Sequence, residues 1–252
     1  MIKKTKITLI VMLLMTSLAV QAQTMMNIHQ SNGTVLQIPL NTIDSITYTM
    51  PNFGAGVTFD GYTYTSILIG NGQEWMAENL RTTTYANGDP IPNVTDSTQW
   101  QNLTTGAWAH YNNDSQYENP YGKLYNWYTV ADPRNVCPTG WHVPTDAEYT
   151  LLSNYLGGEP VAGGKMKSTG TQYWQNPNTA ATNESGFSGL PGGFRGGNGE
   201  SGSVGGSAVW WSSTEFVPLL FPWWRSLDYN NGGLTRGYEE KQWGFSIRCL
   251  RD

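Results

Sequence analysis

One stretch, Cys137 to Gly158 (CPTGWHVPTDAEYTLLSNYLGG), constrains the chain more than any other, because it carries the clearest helix signal outside the first twenty-two residues. Thr145 is a favourable N-cap, and Glu148 three residues on completes a capping box. Ala147, Leu151, Leu152, Tyr155 and Leu156 recur at helical spacing and predict one apolar stripe on a helix over about 146–156. Gly157 suits the left-handed position that ends it. Cys137 stands just before this helix, and the other cysteine, Cys249, lies in GFSIRCLRD. If the two are bonded, one staple ties the start of the helix to the last strand.

Elsewhere the pattern is short strands and long loops. Charged residues make up 13% of the 252, against roughly 25% in an ordinary globular chain. Gly, Asn, Ser and Thr replace them, and tryptophan reaches 11, a profile closer to an extracellular β-rich protein than to a cytosolic enzyme. Lys3, Lys4 and Lys6, the apolar run Ile7–Met15 and small residues at Val20 and Ala22 predict a signal peptide over 1–22, with a mature chain starting at Gln23. The apolar run is too short for a membrane anchor, which needs about 20 residues. No cysteine stands near the cleavage point, so no lipoprotein anchor is expected. Removing the three lysines takes the formal charge from −5 to −8. That argues against nucleic acid or an anionic membrane as partner. The expected compartment is the periplasm, the cell surface or the medium.

Residues 23–50 read as a small β module. Asn32-Gly33 is a hairpin signal between MMNIHQ and TVLQIPL, and IDSITYT alternates as a third strand. The segment, through NIHQSNGTV and IPLNTIDSITYT, resembles a leader module found after the signal peptide in many exported proteins of the Bacteroidota type. Residues 51–56 read as a linker. The main domain is expected over 57–252, with hairpin turns at Asp60-Gly61 and Asn71-Gly72. KLYNWYTV reads equally as strand or short helix. VAGGKMKS reads as a helical turn, and VWWSSTE, FPWWRSLDYN and GFSIRCLRD as three strands.

NGQEWMAENLRTT, YGKLYNWYTV, CPTGWHVPTDAEYTLLSNYLGG, TNESGFSGLPGGFR, WWSSTE and GFSIRCLRD follow in order over about 57–252. Together they resemble the Fibrobacter succinogenes major paralogous domain. The resemblance implies a secreted or surface domain of no established activity, and a remote likeness to the C-type lectin-like fold. The expected class is therefore α+β: short antiparallel strands, one main helix and long ordered loops. That fold bonds a cysteine by its first helix to one in its final strand, which implies a Cys137–Cys249 disulfide. An exported, oxidising setting favours the same bond. The lectin calcium and sugar motifs are absent: Glu159-Pro160-Val161 breaks the first, and Trp210-Trp211-Ser212 is not the second. No cofactor is expected.

The chemical candidates are thin. Gly197, Gly199 and Gly202 match GxGxxG, but in a Gly/Ser run without the flanking strand and helix that a dinucleotide site needs. Gly163-Gly164-Lys165 lacks the earlier glycine of a phosphate loop. His29, His110 and His142 have no zinc spacing, and His142 reads as a packed, satisfied side chain. Glu239-Glu240 reads as a solvated turn. Glu215 and Asp228 would make a glycosidase pair if neighbouring strands brought them together. Asn112, Asn113, Asp114, Asn183 and Glu184 supply oxygens suited to calcium, although loop capping is the commoner use. Strand alternation should bury one tryptophan of each pair and turn the other outward. Trp210 and Trp223 are expected inward, leaving Trp211, Trp224 and Tyr229 as a ligand shelf rimmed by the loop 192–206. The reading that results is a non-enzymatic exported binding protein for a glycan or a surface protein. The alternatives are a polysaccharide hydrolase and a purely structural envelope protein.

Overall fold

A computed structural model describes residues 25–29, 34–42, 53–217 and 220–252. The chain divides into two compact units, Met1–Met50 and Pro51–Asp252. In the first, β1 (Met25–His29) pairs antiparallel with β2 (Val35–Pro39), Asn27 opposite Gln37. The expected signal segment, the Asn32-Gly33 turn and the third strand of the module lie outside the described residues.

In the second unit β3 (Val57–Phe59) and β4 (Tyr62–Tyr64) form a hairpin. Its two turn residues, Asp60 and Gly61, both have positive φ, 48° and 74°, as a type I′ turn requires. The second expected turn joins β5 (Ser66–Leu68) to β6 (Glu74–Met76) through Gly72 at φ 89°. Residues 53–56, read as a linker, run against this hairpin: Phe53 bridges Ile67 and the Gly54 amide donates to the Ser66 carbonyl at 3.0 Å.

A short helix α1 (Ser97–Gln101) and strand β7 (Trp108–Ala109) follow, then the helical turn α2 (Glu118–Tyr121) and β8 (Leu124–Asn126). KLYNWYTV is both things it resembles. Its first half is β8 and its second half is α3 (Trp127–Val130), because Asn126 ends the strand and caps the helix by accepting from the Thr129 amide. After β9 (Trp141–His142) comes the main helix α4 (Asp146–Tyr155). Its capping box is complete: Thr145 Oγ1 accepts from the Glu148 amide at 3.2 Å, and Glu148 Oε2 accepts from the Thr145 amide at 2.7 Å. The buried face is not the expected stripe. Leu151 and Tyr155 are more than half exposed, while Asp146, Tyr149, Leu152 and Ser153 face the core. Asp146 tolerates burial because Arg225 and Arg236 bracket it, at 2.8 and 2.6 Å.

α5 (Glu159–Met166) then packs on α4, and a long loop leads to β10 (Phe194–Arg195) and β11 (Ser201–Gly202). The two tryptophan-rich strands are β12 (Ser207–Val217) and β13 (Phe221–Asp228). A strand the sequence did not announce, β14 (Thr235–Tyr238), pairs with β13. GFSIRCLRD is two short strands, β15 (Gly244–Phe245) and β16 (Leu250–Arg251), in different sheets. The sheet orders are β11-β10-β15-β8-β7, β5-β6-β16-β9 and β12-β13-β14, all antiparallel, so the class is α+β. Among the described residues, no helix is long and apolar enough to cross a membrane.

Cys137 and Cys249 are bonded, with sulfurs 2.06 Å apart, inside an apolar cluster with Tyr64, Met76, Trp141 and Ile247. Two further clusters lie on opposite faces of β12. Trp210 packs with Trp75, Tyr149 and Phe187, and Trp211 with Trp127, Val209 and Phe245.

Candidate functional site

That double-sided burial overturns the expected orientation of the shelf. Strand alternation does point Trp210 and Trp211 to opposite faces, but both faces are covered, and both indoles are 0% exposed. Each indole N–H is satisfied internally, Trp210 by Asn79 Oδ1 and Trp211 by the Tyr125 carbonyl, both at 2.8 Å. Trp224 stands in register with Trp211 and packs half-buried on the same cluster. Tyr229 packs instead against the Trp75 cluster on the other face. Trp211 and Trp224 therefore lie on one covered face and Tyr229 on the other, and the three make no common exposed shelf. Trp223, expected inward, lies on the Trp210 and Arg225 face of the hairpin but only half-buried, where its ring holds the Arg236 guanidinium at 3.6 Å and meets Phe216 at 4.6 Å. Phe216 stacks on Tyr238 at 4.4 Å, and both are more than two-fifths exposed.

The other candidates resolve as follows. Glu215 lies opposite Pro222 and Asp228 opposite Ser207, so the two carboxylates sit at opposite ends of the β12–β13 hairpin. Six residues of strand separate those register positions, roughly 20 Å at 3.3 Å per residue. They form no glycosidase pair. His142 bonds Asp252 through Nδ1 at 2.6 Å and Glu148 through Nε2 at 3.0 Å. His110 bonds Glu118 at 2.7 Å. The expected calcium oxygens are engaged in loop capping or pairing: Asp114 accepts from the Gln116 amide, Asn183 from the Ser188 amide, and Glu184 pairs with Lys165. Among the described residues, no three His, Cys, Asp or Glu side chains converge as a metal site.

The fold builds a cleft elsewhere, of about 580 Å³, lined by Phe194, Asn198, Glu200, Glu240, Gln242, Trp243 and Gln101. Two segments forty residues apart make its walls. One is the β10–β11 hairpin, whose tip is closed by a Gly196 amide bond to the Glu200 carbonyl at 2.7 Å. Asn198 braces that tip, its Nδ2 donating to Glu200 Oε2 at 3.2 Å and its Oδ1 accepting from the Glu200 amide at 3.1 Å. The other wall is the turn before β15, held by a Trp243 amide bond to the Glu240 carbonyl at 3.1 Å. The pairing of Arg195 with Gly244 brings the walls together and sets Phe194 beside Trp243, ring centres 5.3 Å apart. Gly197 lies so close that an added Cβ would sit 3.4 Å from the indole and 3.7 Å from Glu240 Oε2. The backbone thus forms one side of a narrow aromatic and acidic trough.

Its charge is one-sided. Arg195 is 0% exposed and turned inward, bonding Asn113 Oδ1 at 2.6 Å and the Thr95 carbonyl at 3.0 Å over the Trp100 ring. Lys241 is drawn to Glu215 at 2.5 Å, over the Trp127 ring. Burial, with the Glu240 charge beside it, pushes the Glu239 carboxyl above its usual range. Sequence reasoning found the Gly-rich rim but missed Glu240 and Trp243. The Glu-Glu pair looked like a solvated turn, and nothing local ties residue 243 to residue 194.

A family model described as the Fibrobacter succinogenes major domain matches residues 68–251, a span that includes the disulfide and every residue of the cleft. No curated protein and no solved structure matches the chain. With nearly three-quarters of its length matched in one continuous span, the chain belongs to the Fibrobacter succinogenes major domain family.

Proposed function

We propose that this is an exported, non-enzymatic glycan-binding protein that takes its ligand in the Trp243 cleft. The observation that carries the reading is the make-up of that cleft: Trp243 and Phe194 beside the amides of Gln101, Asn198 and Gln242 and the carboxylates of Glu200 and Glu240. Sugar rings present flat C–H faces that suit an indole. Their hydroxyls pair with the mixed donors and acceptors of amide and carboxylate groups. A concave site of this size holds one or two rings. The signal-like residues 1–22 and the leader-like residues 23–50 support export to the periplasm, the surface or the medium. A C-type lectin-like fold for the second unit is part of the proposal. It draws on the bond from Cys137, ahead of α4, to Cys249, next to the last strand.

The test is a glycan array on the mature protein, followed by titration of the strongest ligand into Trp243→Ala. With folding retained by circular dichroism, affinity should fall about tenfold or more, roughly 1.4 kcal/mol. Gln242→Ala, which removes no core contact, should weaken binding to a lesser degree. Unchanged affinity in both variants would remove the site, and an array without any bound glycan would favour the structural envelope reading. A second reading, polysaccharide hydrolysis, is favoured by one observation, that Glu200 and Glu240 line the same cleft. It predicts that the wild-type protein releases reducing ends from the bound polysaccharide and that Glu240→Gln stops the release.

A further inference from the structure

The aromatic and amide lining sets the kind of ligand; the balance of charge around it sets which member of that kind. Many carboxylates among the described residues, though not all, are answered by a lysine or arginine. Glu74 pairs with Arg251, Glu78 with Arg81, Glu118 with Lys123, Asp146 with Arg225 and Arg236, and Glu215 with Lys241. Glu200 and Glu240, on the cleft, have no such partner among the described residues, and neither does Glu239 next to them. The lining includes no lysine or arginine. The nearest cations along the chain, Arg195 and Lys241, are committed to Asn113 and Glu215 and face away. An acidic ligand entering here would meet two carboxylates with no counter-charge. A protonated amine would meet both carboxylates and the Trp243 face, which itself attracts a cation.

We infer that the cleft selects glycans bearing free, protonated amines, such as unacetylated amino sugars, over their acetylated and acidic counterparts. The inference rests on the cleft being the glycan site. The site is defined by its shape, aromatic walls and polar lining, and the carboxylates, besides meeting hydroxyls, fix the sign of charge it accepts. Attraction between exposed charges is screened within about 10 Å at moderate salt. The preference must therefore shrink as salt rises, whereas stacking on Trp243 must not.

The experiment is titration calorimetry of the mature chain with three oligomers of equal length: glucosamine, N-acetylglucosamine and galacturonate. It is run where amines and carboxylates are both ionised. The expected result is glucosamine oligomer binding about tenfold tighter than its acetylated counterpart, with no measurable uronate binding. The gap should close in high salt and in Glu200→Gln/Glu240→Gln. That double variant should bind the glucosamine and acetylated oligomers about equally, with its fold checked by circular dichroism. Equal affinities in the wild type, or a gap that survives the double substitution, would overturn the inference while leaving the glycan site standing. Trilysine binding as tightly as the glucosamine oligomer would overturn it too, since charge alone would then suffice. Binding of none of the three sugars would overturn the inference, and Trp243→Ala without effect on any glycan found by array would bring down the site reading itself.

Discussion

Glu118 is a carboxylate shared between a histidine and a lysine. It accepts from His110 Nε2 and from Lys123 Nζ, both at 2.7 Å, while Lys123 also donates to the Arg81 carbonyl and lies over the Trp108 ring. Burial alone would raise its pKa, but the hydrogen bonds from Lys123 and His110 outweigh burial and hold it below the ordinary value of 4.5. A carboxylate depressed in the folded state contributes stability that is present above its unfolded pKa and lost as pH falls through the folded one. Glu118→Gln should lower stability near neutral pH by about 1 kcal/mol, discounted because the side chain is a third exposed. It should also flatten the acid limb of stability against pH. Urea melts from pH 7 to 3 check this, and parallel curves for the two proteins would count against it. At this scale the sequence was a partial guide. Thr145 and Glu148 announced their roles because a capping box is local. The fates of Trp211 and Trp223 were not readable, because alternation gives parity along a strand and says nothing about what covers each face.

At the scale of elements, α5 shows how two effects of opposite sign are weighed. Gly163 and Gly164 lie inside a helix, where alanine would ordinarily be better by about 1 kcal/mol. Yet a Cβ at Gly163 would sit 1.9 Å from the Gly233 carbonyl oxygen and 2.4 Å from its carbon, both backbone atoms. The loop before β14 is pressed against the helix there, with the Gly164 amide bonded to the Gly232 carbonyl at 2.7 Å. Overpacking costs about 1–3 kcal/mol and often more against backbone. Gly163→Ala should therefore be net destabilising, seen as a lower urea midpoint at unchanged slope; a stabilised variant would mean that the loop moves aside freely. The GGK run resembled a fragment of a phosphate loop and is instead a packing seam, set by the distant Gly233 against Gly163 and Ala180 against Gly164. KLYNWYTV read equally as strand or helix and is one followed by the other, whereas elements with local signals, α4 and the Asp60-Gly61 hairpin, were legible. β14 was not, since Thr-Arg-Gly-Tyr carries no alternation and is a strand only because β13 offers an edge. The stripe on α4 misled for a similar reason. Its inward positions include Asp146 and Ser153, and the arginine that lets Asp146 in comes from β13.

For the whole molecule, the last strands do most of the joining. β15 lies between β10 and β8, and β16 between β6 and β9, so neither sheet is continuous until residues 244–251 are in place. The cleft depends on the same event, since its two walls meet through the Arg195–Gly244 pair. That long-range origin is why the cleft was invisible in the sequence while the fold class was not. The Cys137–Cys249 bond spans 112 positions, which in the chain-entropy model gives about 4–5 kcal/mol as an upper figure. Reduction should lower the melting temperature by several degrees, and an unchanged melt would show that the cluster around the bond is sufficient without it. Both walls of the cleft lie between the two bonded cysteines. A protease that clips the exposed rim at Ser203 therefore opens the chain without dividing it. The nicked protein keeps its full mass on a gel run without reductant and falls into two pieces only when thiol is added, so the edge of the cleft can be cut while the molecule that carries it stays whole.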